Sequence, residues 1–292
     1  MPLGIRPLVD FAFKMIFGNP KHVEALIGLL NAILCLKHPI TSVEILNPFN
    51  YQEFQDAKQI ILDVRARDAQ GRWMNVEMQV SAVAGLLKRM VYYSCSMYVE
   101  QLHKGDDYRQ LRQSIAICLT NQSIDSGSSQ PHHRYQLLDQ QSGRIIGEAV
   151  EVHTVELAKY DLSEHRISSA PPIQQWAFFL LRAQEFDPRY LRELLPAVEF
   201  QTAISVAQQI AHQTEDKVMY DQREKAQRDH DWAIACARDE GLEQGAIAGQ
   251  IQLIQELLDE TPSSKTDLTS QSVDQLRVQL DALRQRLRSR ES

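Results

Sequence analysis

The chain has 292 residues, 43% of them hydrophobic, so it can bury a core without metal or disulfide cross-links. Its 31 Lys and Arg against 38 Asp and Glu give a net charge of −7, which excludes a general nucleic-acid coat but permits a local basic groove. Without a secretion signal, an apolar run of about 18 residues or a CxxC pair, the sequence predicts a cytoplasmic protein with free thiols and no membrane span.

The first 34 residues predict two helices. Apolar residues recur at helical spacing over 9–17, and Gly18 supplies the stop of this first helix. Asn19 and Pro20 are typical of the start of a second helix, whose apolar stripe runs over 23–34.

Residues 58–80 alternate between apolar and polar and predict a β-hairpin. Asp68 suits the first position of a type I turn and Gly71 the left-handed position after it, which gives a three-residue loop with a glycine bulge. This register sets Asp63 opposite Glu77, whereas a two-residue loop would bring polar groups into the apolar face. The apolar face then holds Ile60, Leu62, Val64, Val76, Met78 and Val80, and the other face holds Ile61, Asp63, Arg65, Asn75, Glu77 and Gln79.

The middle of the chain predicts a long helix and then strands. The helix extends over 84–103, with Gly105 as its stop. The apolar run 114–120 is typical of a strand inside a sheet, and strand character returns at 134–138 and 145–157.

The C-terminal part predicts helices and two short heptad seams. The stretch 197–260 is mostly helical and 261–272 has the composition of a linker. The seams consist of Ile247, Ile251, Ile254 and Leu258, and of Val273, Leu276, Leu280, Leu283 and Leu287. Each covers about two heptads, so they pair either as a hairpin within the chain or across a dimer.

Asp63, Glu77 and Gln79 carry the strongest functional signal. Carboxylates opposite each other on antiparallel strands have Cβ atoms about 4.5–5.5 Å apart, where like charges repel. Such a pair needs a shared proton, a cation or open water, and Mg²⁺ is a cation that carboxylates and a substrate phosphate hold together. The alternative is an exposed charged strand face. Helices before and after the hairpin favour coverage of both sheet faces instead.

These residues resemble the PD-(D/E)XK nuclease superfamily, and more closely the recombination-promoting nuclease and transposase family. The resemblance covers about residues 1–250. It is carried by Asp10 to Lys14 with Phe17-Gly18, Lys58, Leu62-Asp63, Val76 to Gln79, Arg89 with Tyr92-Tyr93, Gly105 with Tyr108, Glu156 to Tyr160, and the Gly-spaced charged helix 238–245.

The resemblance implies an α/β fold with a PD-(D/E)XK nuclease-like core, a central mixed sheet flanked by helices, over residues 1–165. A helical region would follow over 166–240, and 241–292 would form a Gly-spaced helix, a linker and a heptad helix. The implied activity is a Mg²⁺-dependent DNA endonuclease (with Mn²⁺ or Ca²⁺ as alternatives) acting in recombination or transposition. The heptad seams add a homodimer through the C-terminal helices.

The resemblance also implies site residues. Asp63 and Glu77 would bind the metal, with the carbonyl of Met78 as a third ligand, and Asp10 would approach from the first helix. Gln79 stands where the superfamily motif has lysine, so a dipole replaces a charge and another cation is needed. Lys88, Lys58 and Arg65 are candidates for it. The competing interpretation is a catalytically inactive nuclease-fold protein that binds DNA or a partner. A third is a helical adaptor that depends on residues 240–292.

The histidines give a weaker signal. His132 and His133 follow the Ser- and Gly-rich stretch 123–131, so we expect solvated loop histidines there. His153 and His165 have no partner at the spacing of a zinc site.

Overall fold

A mixed six-stranded sheet forms the centre of residues 1–224 in the computed structural model, which describes residues 1–49, 63–79, 85–124 and 127–291. Its strands are β1 (Val43–Ile45), β2 (Asp63–Asp68), β3 (Trp73–Gln79), β4 (Ser114–Thr120), β5 (His132–Gln136) and β6 (Val150–Glu156), in the spatial order β1-β2-β3-β4-β6-β5. β3, β4 and β6 run parallel to one another, and the other neighbours pair antiparallel. The predicted α/β class with a central mixed sheet flanked by helices is confirmed.

Helices precede, interrupt and follow the sheet strands. They are α1 (Asp10–Phe17), α2 (Val23–Leu34), α3 (Leu86–Val99), α4 (Glu164–Ile167), α5 (Pro172–Arg182), α6 (Pro188–Leu194), α7 (Val198–His212), α8 (Thr214–Leu257), α9 (Lys265–Thr269) and α10 (Val273–Glu291). Among the helices of the described ranges, none combines the length and apolarity needed to cross a bilayer.

The predicted hairpin register is confirmed. Asp63 pairs with Glu77 across β2 and β3. Gly71 adopts φ +80° and its N–H donates to the carbonyl of Asp68 (2.9 Å), as the bulged turn requires. The Asp68 carboxylate also accepts hydrogen bonds from the backbone N–H groups of Gln70 (2.9 Å) and Arg72 (3.0 Å). The turn therefore fixes which residues share each face. Four residues of the two predicted faces lie outside the described residues: Ile60, Ile61, Leu62 and Val80.

Helices cover both faces of the sheet at this hairpin, which agrees with the prediction. Val64, Val76 and Met78 are buried in a core shared with α1, α2, α5 and α7. On the opposite face, Leu86 and Met90 of α3 pack against β4 and β6.

Helix α3 is shorter at its C-terminal end than predicted. It ends at Val99, and the carboxylate of Asp106 accepts a hydrogen bond from the backbone N–H of His103 (2.7 Å). A side-chain bond of this type stabilises a turn in competition with a further helical turn. Gly105, with φ +100°, belongs to that turn.

Residues 225–292 form a second compact unit with its own core. Ile247, Ile251 and Ile254 of α8 pack with α9 and α10, so the two heptad seams pair as a hairpin within the chain. The expected linker contains α9, because the Ser264 hydroxyl caps it (3.1 Å to the Asp267 N–H) and Leu268 is fully buried. A Cβ added at Gly241, Gly245 or Gly249 would meet open space, so close packing does not explain these glycines.

Candidate active site

Glu77 is a buried carboxylate on β3, between β2 and β4. Its residue is 7% exposed, and it pairs with Asp63 on one side and with Cys118 on the other. Strand alternation puts Asn75 and Gln79 on the same sheet face, under α3. Asn75 is also buried. This face is therefore polar and largely withdrawn from solvent at Glu77.

Arg89 of α3 contacts both Glu77 and Gln79. Its Nη2 atom lies 2.5 Å from Glu77 Oε1 and also donates a hydrogen bond to Gln79 Oε1. The helix begins after Gly85, whose φ of +84° is the left-handed conformation that favours glycine. Arg89 lies one turn further along, and its backbone N–H donates to the Gly85 carbonyl (3.0 Å). The start of α3 thus places a fixed positive charge beside the buried carboxylate.

Cys118 of β4 is the strand neighbour of Glu77 on the side opposite Asp63. Burial is the main cause that raises the pKa of its thiol to about 12; the Glu77 carboxylate also acts to raise this pKa, and the Arg89 guanidinium acts to lower it. The thiol is therefore neutral at pH 7 and adds no charge beside Glu77.

The sequence-predicted metal ligands lie on or beside β3. Asp63 occupies the register position opposite Glu77. The side chain of Met78 is buried on the other face, so only its carbonyl is left as a possible ligand, and that role stays a prediction. Carboxylate and carbonyl oxygens are the donors that hard divalent cations prefer, so this donor set fits Mg²⁺. Among side chains within the described ranges, no cluster of three or more His, Cys, Asp or Glu has the arrangement of a metal site.

Asp10 has a different partner from the one that the family resemblance implies. It is 2% exposed at the start of α1, and its carboxylate accepts hydrogen bonds from Arg223 Nε (2.8 Å) and Nη2 and from the N–H of Phe11 (2.7 Å). The ion pair with Arg223 therefore fixes the position of the Asp10 carboxylate. The role of Asp10 stays a prediction.

The sequence patterns did not identify Arg89 as the cation that lies beside Glu77. Lys88 is exposed on α3, Arg65 pairs with Glu100 (2.5 Å), and Lys58 lies outside the described residues. Helical phase could have identified Arg89. At 100° per residue it lies about 60° from the apolar stripe of Leu86 and Met90, whereas Lys88 lies roughly 160° from it.

A second buried polar cluster lies on the opposite face of the sheet. His132 and His133 belong to strand β5, so the expectation of loop histidines is wrong. His132 Nε2 lies 2.8 Å from His153 Nδ1, and His153 Nε2 lies 2.5 Å from Glu151 Oε1. That carboxylate also accepts bonds from Arg134, Gln113 and Gln136 (2.7–3.0 Å). Pairing of β5 with β6 creates this cluster, and residue spacing does not reveal such a long-range contact.

The fold and the β3 site together define an α/β nuclease-like protein. A family model described as PD-(D/E)XK nuclease family transposase matches residues 7–237. The chain belongs to this family, which supports a nuclease or transposase type of function with DNA as substrate and a divalent metal as cofactor. No curated protein and no solved structure matches the chain significantly.

Proposed function

We propose that the protein is a Mg²⁺-dependent DNA endonuclease that hydrolyses phosphodiester bonds during recombination or transposition. The observation that carries this proposal is the pairing of Asp63 with buried Glu77 in a chain of this family. Two acidic positions that face each other across strands need a shared proton, a cation or open water, and a divalent cation is the solution that PD-(D/E)XK nucleases generally use.

The residues of the site have two proposed roles, metal binding and phosphate binding. Asp63, Glu77 and the Met78 carbonyl would hold Mg²⁺, with Mn²⁺ or Ca²⁺ as alternatives. A bound divalent cation neutralises charge that develops on the phosphate and lowers the pKa of water. Gln79 presents its Oε1 atom to Arg89, which orients the amide so that its NH₂ group points away from the guanidinium. That group can donate to a phosphate oxygen.

The cellular setting is part of the proposal. Local Lys and Arg side chains, which neutralise phosphates, allow a chain of net charge −7 to bind DNA. All four cysteines are free, as expected for the cytoplasm. A homodimer through the C-terminal helices stays a prediction. It would need another face of these helices, because their apolar seams pack against each other within the chain.

A catalytically inactive nuclease-fold protein is the second candidate. The observation that favours it is Gln79, which replaces the lysine of the superfamily motif and supplies no net charge. This candidate binds DNA or a protein partner without cleavage.

Nicking of supercoiled plasmid distinguishes the two candidates. We expect cleavage with Mg²⁺ or Mn²⁺ and none with EDTA. Asp63→Ala and Glu77→Gln should each reduce the rate by about 100-fold or more, since residues that only support a metal ligand already contribute ~10–100-fold. Glu44→Gln is the matched control, because Glu44 is an exposed carboxylate on β1 paired with Arg67 (2.6 Å). It should cleave like wild type.

The melting temperature in Mg²⁺ provides a readout that does not depend on cleavage. A ligand that binds only the native state raises this temperature, so wild type and Glu44→Gln should respond and Asp63→Ala should not. Folded wild-type protein that cleaves in no metal would favour the inactive candidate.

A further inference from the structure

We propose that Arg89 supplies the positive charge that lysine supplies in the superfamily motif, and that Gln79 holds Arg89 in place. This inference rests on the proposed nuclease function. Arg89 comes from helix α3, twelve residues after Glu77 in sequence. In this chain the positive charge therefore comes from the helix that covers the strand, whereas in the superfamily motif it comes from the strand itself.

The contacts of Arg89 are those of a residue that serves the site. The Nη2 atom of Arg89 donates hydrogen bonds to the Glu77 carboxylate and to the Gln79 amide oxygen, so the two strand residues hold the guanidinium from one side. The side chain of Glu77 is 10% exposed and that of Arg89 is 34% exposed. The ion pair is thus shielded on the carboxylate side, while about a third of the Arg89 side chain stays exposed to solvent on the side from which a phosphate would approach.

The chemistry of arginine suits this role. Its guanidinium stays charged at all working pH values and presents several N–H donors in a plane, which matches phosphate oxygens. A glutamine at position 79 can accept a hydrogen bond from it, whereas a lysine there would repel it. Gln79 and Arg89 therefore form a compatible pair in place of the single lysine.

Helix α3 holds Arg89 rigidly. Ser94 Oγ donates to the Ser114 carbonyl (2.9 Å), and Ser114 Oγ donates back to the Ser94 carbonyl (2.8 Å). Leu86 and Met90 flank Arg89 and are buried against the sheet. A charge on a packed helix keeps its position without reorganisation during the reaction.

A purely structural role is the competing explanation: Arg89 would only neutralise buried Glu77. The two roles differ when the charge is relocated. If the reaction needs a positive charge at this point, a lysine at position 79 should replace Arg89. A structural counter-ion gives no such rescue of the cleavage rate.

Two measurements test the role of Arg89: the single-turnover rate of cleavage of a labelled DNA fragment, and the dissociation constant of the protein for that DNA. Arg89→Met should lower the cleavage rate about 100-fold, the scale for loss of one preorganised electrostatic group, with DNA affinity within about threefold of wild type. Arg89→Lys should keep part of the rate. The double variant Gln79→Lys/Arg89→Met should recover about tenfold or more over Arg89→Met. Arg189→Met, at an exposed position of α6, is the matched control and should behave like wild type.

Each other outcome overturns something definite. Active wild type with an equally active Arg89→Met overturns the role of Arg89 and leaves the nuclease function standing. A folded Arg89→Met that is slow, without rescue by lysine at position 79, makes Arg89 a structural counter-ion. Inactive wild type overturns the nuclease function and this inference with it.

Circular dichroism checks that each variant folds. If Arg89→Met is unfolded, Gln79→Leu provides the test, because it keeps the ion pair of Arg89 with Glu77 but removes the amide that holds the guanidinium. The rate should then fall about tenfold. An unchanged rate in Gln79→Leu would overturn the proposed holding role.

Discussion

Buried carboxylates in residues 1–224 pair with arginine at four places. The pairs are Asp10 with Arg223, Asp68 with Arg72, Glu77 with Arg89, and Glu151 with Arg134. A charge removed from water needs a partner, and removal of one member of a buried pair typically costs about 3–5 kcal/mol. Variants at these arginines therefore need a stability measurement beside any activity assay.

Cysteine reactivity gives a test of the site at the scale of single residues. Cys35, Cys95 and Cys236 are exposed, whereas Cys118 is buried beside Glu77 and its pKa is raised to about 12. Thiolate is the reactive form, so a buried neutral thiol reacts slowly. We expect three thiols to react rapidly with a disulfide reagent in the native protein and the fourth only on unfolding. The Cys118→Ala variant should show three reactive thiols in both the native and the unfolded protein. Rapid reaction of four thiols in the wild type would contradict the packing of α3 on β4.

At the scale of elements, the Glu151 cluster fastens edge strand β5 to β6. His132 and Arg134 of β5 reach His153 and Glu151 of β6, and Gln113 joins from the residue before β4. The cluster satisfies a carboxylate that is 3% exposed, and it binds the edge of the sheet through side chains as well as the backbone ladder.

The cluster predicts a pH dependence of stability. Burial is the main cause that lowers the pKa of His132 to about 4; His153, His133 and Arg134 also act to lower this pKa, and Glu151 acts to raise it. As the pH falls from 6.5 to about 4, the unfolded chain binds this proton before the folded chain does, so the fold loses stability. Hydrogen bonds from His153 and Arg134 outweigh burial and lower the pKa of Glu151 to about 2, so its contribution is lost between pH 4.5 and about 2.

Urea unfolding at pH 7, 5.5 and 4.5 checks the histidine contribution. Between pH 6.5 and 4, His132→Asn should lose less stability than wild type, relative to its own value at pH 7. His165→Asn removes an exposed histidine next to the core and should follow the wild-type slope. Equal slopes in all three proteins would show that His132 does not titrate differently in the folded state.

Local sequence signals predicted some elements and could not predict others. The hairpin register was predictable because Asp68, Gly71 and the alternating strands lie within one short segment. Strand β5 was predictable only in part: strand character was expected at 134–138, but the strand begins at His132, and only the partner strand β6 gives its two histidines a place. The position of Arg89 was predictable only in part. The residues of its helix reveal its phase, but its contact with Glu77 depends on how α3 lies on the sheet.

At the scale of the whole molecule, the described residues form two large hydrophobic cores. One lies between the helices and one face of the sheet in residues 1–224, and the other joins the end of α8 to α9 and α10 in residues 225–292. Ion pairs flank the second core: Arg277 with Glu243, Arg286 with Glu260, and Arg290 with Asp259 (2.6 Å). Arg277, Arg286 and Arg290 of α10 thus have acidic partners within their own unit.

Separate cores predict that a core defect in one unit stays in that unit. Leu276 is fully buried in the C-terminal core, so Leu276→Ala should destabilise that unit by about 2–5 kcal/mol. Val278→Ala is the matched control on the same helix, because Val278 is 72% exposed. Hydrogen exchange should show lost protection in Leu276→Ala over 247–287, with protection of β3 and β4 unchanged, and Val278→Ala should match wild type. Loss of protection in β3 and β4 as well would mean that the two units unfold as one, and that the nuclease-like fold depends on the C-terminal hairpin for its stability.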